Sequence, residues 1–138
     1  MNTNLFAEET QDYRFQAWWR TASNESEGGY DFIKYEEIAR PAGKGDAEYF
    51  YAVFMSLIRL SEVYYIAAEC EPVLADKYGW LNKIRERRGL GALTVISEED
   101  FMKRLRTEYL REFMGEGQIF FMYKRLYAAI PSDEMGMI

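Results

Sequence analysis

The side chains able to do chemistry in this chain are charged residues set at helical spacing inside apolar runs. Arg59, Glu62 and Glu69 lie in one such run, and Glu108, Arg111 and Glu112 lie in another about forty residues further on. Residues three or four apart share a helix face, so Arg59 can touch Glu62, and Glu108 stands over Glu112. Carboxylates that face each other across a cleft, one with a raised pKa, do general acid–base work, as in glycoside hydrolysis. Here the acids have arginine neighbours, which favour the ionised form. A buried charge left alone costs several kcal/mol, so covered residues of this kind must pair. Ion pairing is the expected role of all six residues, with Glu62 or Glu69 meeting Arg111 or Arg125 across a helix interface; catalysis by paired acids is the alternative.

Other chemistries lack their residues. Histidine is absent, which removes Ser-His-Asp and Cys-His catalysis, His-ligated metals and the Glu-x-x-His motif of helical di-iron sites. The single cysteine, Cys70, excludes an internal disulfide framework, and with no histidine to activate it, it reads as a small buried residue. Met114-Gly115-Glu116-Gly117 lacks the spacing of a phosphate loop and reads as a helix corner. No cofactor or metal is expected. Aromatics are 17% of the chain. Trp18, Trp19, Tyr30 and Tyr49 are candidates for stacking on sugar rings, against the plainer reading that these rings are core. Neighbouring residues of a strand point to opposite faces, so only one of Trp18 and Trp19 can face a ligand.

These residues need elements to hold them. Residues 1–11 read as polar and loose. Tyr13 to Trp19 and Tyr30 to Tyr35 alternate like strands and can pair as a hairpin across the loop from Thr21 to Gly29. A helix is expected from about Ala47 to Cys70, with a possible break near Ser56 and a stripe of Leu57, Leu60, Tyr64, Ala67 and Ala68. A second runs to Arg88, with Pro72 in its first turn and Gly89 as a left-handed cap. A third opens at the N-cap Ser97 and uses Phe101, Leu105, Tyr109 and Phe113. A fourth spans roughly Gln118 to Ala129 and stops at Pro131. The expected fold is mainly α: helical hairpins of tetratricopeptide-like type over residues 47–130, preceded by a short β-hairpin within residues 12–45, in a single domain.

The 138 residues carry a formal net charge of −6 and are 49% hydrophobic. That composition argues against disorder. The basic residues at Arg85, Arg87, Arg88 and at Lys103, Arg104, Arg106 are interleaved with glutamates, and read as solvated helix faces rather than a nucleic-acid surface. No apolar run is long enough to cross a membrane. Met1-Asn2-Thr3-Asn4 has neither the basic start nor the apolar run of an export signal, so either the protein is cytosolic or such a segment lies outside this chain.

The ordered set of motifs resembles the C-terminal part of the SusD/RagB nutrient-binding lipoproteins of Bacteroidetes outer membranes. It comprises Asp12-Tyr13-Arg14; Arg59-Leu60, Glu62 and Ala68-Glu69; Asn82-Lys83-Ile84-Arg85-Glu86-Arg87-Arg88-Gly89-Leu90; and Glu108, Glu112-Phe113, Glu116-Gly117, Phe120-Phe121 and Lys124-Arg125. Many members carry Arg and Asp where this chain has Ile119 and Met122, and members are several times longer, so a fragment or truncated relative is expected. The resemblance implies a surface-exposed lipoprotein of the outer membrane, anchored by a lipid absent from this chain, that captures oligosaccharides (in some relatives peptides) for a SusC-like TonB-dependent transporter. It implies a binding protein rather than an enzyme. The alternative is a helical protein–protein interaction module with no small ligand of its own.

Overall fold

The computed structural model describes residues 3–22, 29–35 and 57–130. It is mainly helical, with a short two-stranded hairpin early in the chain. The first segment is ordered rather than loose: a 3-10 turn at Thr3–Phe6 carries the Phe6 ring into the core. Where alternation predicts a strand, the chain forms helix α1, Tyr13–Trp18. The deciding residue is Asp12, whose carboxylate accepts the Arg14 backbone N–H at 2.8 Å and caps the helix. The first strand, β1, is only Trp19–Thr21. It pairs antiparallel with β2, Tyr30–Phe32, in the register Trp19↔Phe32 and Thr21↔Tyr30.

Four helices follow: α2, Leu60–Cys70; α3, Leu74–Arg87; α4, Glu98–Phe113; and α5, Gln118–Arg125. The expected start of α2 at Ala47 lies outside the described residues, and Arg59 is its extended N-cap rather than an internal residue. The expected stripe holds only in its second half, where Ala68 is buried and Tyr64 and Ala67 are half-buried. Leu57 and Leu60 are exposed, and Tyr65 and Ala68 are the buried residues. Tyr65 wins because its ring meets Tyr109 at 5.1 Å and Phe113 at 5.9 Å, a larger apolar contact than Leu60 can make. Cys70 is exposed at the end of α2, not buried.

Pro72 precedes α3 instead of entering its first turn. Gly89 closes α3 at φ +74°, with Leu90 N–H donating to Arg85 C=O at 3.0 Å and Gly89 N–H to Glu86 C=O at 3.2 Å. This is the paired closure that a left-handed glycine permits. Asn82 clips the following link by donating to and accepting from the Leu93 backbone. Ser97 caps α4, and Phe101, Leu105, Tyr109 and Phe113 are all buried along it. α4 contacts α2, α3 and α5 and is the central element. α5 ends at Arg125, four residues before the expected Ala129, and Tyr127 follows at φ +49°. Pro131 lies outside the described residues. No described helix is long and apolar enough to cross a membrane.

Candidate functional site

Two glutamates one turn apart on α4 organise the interior. Glu108 and Glu112 have almost no contact with water, so each must be compensated within the protein. Glu108 accepts Arg85 Nη1 at 2.5 Å, Arg111 Nη1 at 3.2 Å and Arg14 Nη2 at 2.6 Å. Glu112 accepts Arg88 at 2.6 and 3.0 Å, Arg59 Nη1 at 3.1 Å and Arg14 Nη1 at 3.2 Å. Arg14 therefore bridges both acids, and Asp12 locks its other edge at 2.6–3.2 Å.

The network reaches outward on two sides. Glu9 binds Arg85 and Arg111, and Arg111 also donates to Leu5 C=O at 2.9 and 2.7 Å, which pins the N-terminal turn to α4. On the other side Glu116 takes Arg59 at 3.0 Å and Lys34, whose ammonium also donates to Glu112 C=O at 3.1 Å and so closes the end of α4. Glu69 takes Arg125 in two hydrogen bonds, at 2.8 and 3.1 Å, between α2 and α5. Arg59 does not pair with Glu62, three residues on; its partners are Glu112 and Glu116. Glu62 makes no ion pair among the described residues.

The electrostatics follow from this packing. Burial alone pushes the Glu112 carboxyl up, but the Arg88 hydrogen bonds and the charges of Arg88, Arg14 and Arg59 outweigh it and hold the group at about 2. Glu9 is opposed by burial too, and Arg85 and Arg111 hold it at about 2. Burial drives the Tyr65 hydroxyl well above its ordinary value. An acid clamped in its charged form by several guanidinium groups cannot donate a proton near neutrality, and its oxygens are fully occupied. Among the described residues no group of three or more His, Cys, Asp or Glu is gathered for a metal.

The aromatic candidates separate. Trp19 is 6% exposed and its ring lies 5.0 Å from Phe32, so it is a core ring, not a platform; its strand position turns it inward. Trp18 is half-buried, with the Lys34 ammonium 4.0 Å from its ring centroid. Tyr30 is 40% exposed and stands edge-on to Phe15. Tyr49 lies outside the described residues. A cleft of about 560 Å³ opens where the start of α2 meets the end of α3, lined by Ser61, Tyr64, Lys83, Ile84, Glu86 and Arg87 among others.

Several members of the network are invisible to sequence reasoning. Arg85 reads as part of a solvated basic face, yet it is 4% exposed. Glu9 sits in a segment read as loose. The available signal is the spacing of Arg85 and Arg88, which at i, i+3 share the face of α3 turned toward α4.

The fold is mainly helical around a charged scaffold in which each described buried acid faces an arginine. The family model of the SusD family matches residues 8–135, and the chain belongs to that family. The family points to nutrient binding in the SusC/SusD system. Comparison with curated proteins and with solved structures finds no match. Of the residues that carry the family resemblance, Asp12, Arg14, Arg59, Arg85, Glu108, Glu112 and Glu116 belong to this network, while Glu62 and Arg87 do not. Ile119 and Met122, where many relatives have an ion pair, are buried in the core instead. Apolar packing can replace such a pair without loss of stability.

Proposed function

We propose that this chain serves glycan capture in an outer-membrane uptake system, holding oligosaccharides at the cell surface for a SusC-like TonB-dependent transporter, without catalysing any reaction on them. The observation that carries the reading is that Glu108 and Glu112 each accept ion pairs from three arginines, which gives these two buried acids a scaffold role. Family membership is what supports reading the ligand as a glycan and the partner as a SusC-like transporter. Tyr30 and Trp18 are the ligand contacts proposed at the hairpin, since each keeps ring surface open to solvent.

Electrophoresis through native gels containing dissolved polysaccharides tests this. The chain is expected to be retarded by at least one polysaccharide, and the Tyr30→Ala and Trp18→Ala variants to run faster, with the Tyr30→Ala unfolding midpoint little changed and that of Trp18→Ala lowered by its lost packing against the core. No reducing ends are expected on prolonged incubation. A second reading, a module that docks a protein partner, is favoured by the exposed Leu60, Val63 and Ile66 on α2. Free migration in every gel, together with a partner retained on those three residues, would establish it instead.

A further inference from the structure

The cleft between α2 and α3 has an uneven share of the unpaired positive charge among the described residues. Most described lysines and arginines face a carboxylate, down to Lys77 on Glu98 and Lys103 on Glu99. Among the described residues, the cations without an ion-pair partner are Lys83, Arg87, Arg106 and Lys124. Two of these four, Lys83 and Arg87, line this one cleft. They stand at i, i+4 on α3, where like charges repel. Lys83 lies 3.8 Å over the Trp80 ring, a contact that orients the ammonium and leaves its charge uncompensated. Tyr64 forms part of the wall and is itself backed by Trp80, with ring centroids 5.6 Å apart. Ser61 supplies a hydroxyl, and Glu86, which pairs with neither cation, supplies a carboxylate acceptor.

We propose that this cleft is a subsite for an anionic sugar unit, carboxylated or sulfated. Lys83 and Arg87 take the acidic group, Tyr64 takes the apolar face of the sugar ring, and Ser61 and Glu86 exchange hydrogen bonds with ring hydroxyls. Glu86 is what points to a sugar. A simple anion offers it no donor and an acidic peptide offers only its backbone N–H groups, whereas an acidic sugar presents hydroxyl donors around its ring. The cleft volume of about 560 Å³ suits a small-molecule site. This inference rests on the glycan-capture reading and adds the charge of the ligand.

Calorimetric titration of the whole chain with polygalacturonate, dextran sulfate, fully methyl-esterified polygalacturonate and poly-glutamate tests it. Binding is expected to polygalacturonate or dextran sulfate, the better of the two identifying the acidic group. It should weaken with added salt and be at least tenfold weaker for the methyl ester and for poly-glutamate. The K83Q/R87Q variant should lose at least tenfold, and R106Q/K124Q, which removes the two unpaired cations elsewhere, should bind like wild type. Equal loss in both double variants, poly-glutamate binding as tight as the acidic glycan, or a K83Q/R87Q affinity within twofold of wild type overturns the subsite. Retention of neutral glycans with no response to K83Q/R87Q overturns the subsite alone and leaves capture standing. Failure to bind any glycan removes both.

Discussion

Glu112 accepts hydrogen bonds from three arginines while losing all contact with water, and that combination sets what its removal costs. Breaking a buried pair from one side leaves the other charges uncompensated, an effect of about 3–5 kcal/mol. Glu112→Gln keeps the shape and deletes the charge, leaving Arg14 to Asp12 and Glu108, Arg59 to Glu116, and Arg88 with no carboxylate among the described residues. Urea unfolding should show a loss of about 3 kcal/mol or more. The same carboxylate governs acid stability. Its pKa falls from an ordinary 4.5 to about 2 on folding, as does that of Glu9. A depressed acid adds stability that is fully present above its unfolded pKa and is lost as pH drops toward the folded value. Thermal midpoints should therefore hold down to about pH 5 and fall steadily from there to about pH 2. At this scale the α4 acids and Arg59, Arg111 and Glu69 are legible in the sequence as groups needing partners, but which partners is not. Arg59 lies 53 residues from Glu112 and Arg14 lies 98, and spacing rules reach only one turn.

Elements are legible where a helix runs long enough to separate a 3.6 period from a period of 2. Ser97, the acids after it and the stripe from Phe101 to Phe113 mark α4 from both ends. The six residues of α1 make under two turns, and within so short a window aromatic alternation and a capped helix look alike; the Asp12 cap and the burial of Arg14 decide the outcome. The phase of α2 depends on rings from α4, which no local pattern contains. Two glycines test the element boundaries with opposite signs. Gly115 ends α4 at φ +76°, and an added Cβ would stand 3.2 Å from both the Phe32 and Tyr35 rings. Gly115→Ala should then cost about 1–2 kcal/mol and loosen the hairpin from α4. Gly79 sits inside α3 with nothing within 4 Å of its added Cβ. Gly79→Ala should raise stability by about 0.5–1 kcal/mol, because alanine loses less backbone freedom in a helix. Paired denaturation curves read both, and equal signs would mean that one of these backbone assignments is wrong.

The molecule as a whole balances a net charge of −6 against an aliphatic stripe on the outer face of α2. Leu60, Val63 and Ile66, at i, i+3 and i+6, are 71%, 50% and 45% exposed. Monomeric proteins rarely leave contiguous apolar surface of this kind uncovered, and like net charge opposes the approach of two copies. Salt weakens the second effect without weakening the first. Self-association should therefore increase with salt, the reverse of what an ionic interface would do. Val63→Gln with Ile66→Gln removes apolar surface, leaves the net charge at its wild-type value and places a better helix former at each site. Light scattering behind a sizing column should find the variant monomeric where wild type associates in high salt, with an unfolding midpoint that moves little, because both side chains point away from the core. A variant that unfolds early would mean instead that this face is already covered within the chain. A wild type that stays monomeric in high salt would show that three exposed aliphatic side chains are too small a patch to hold two copies together.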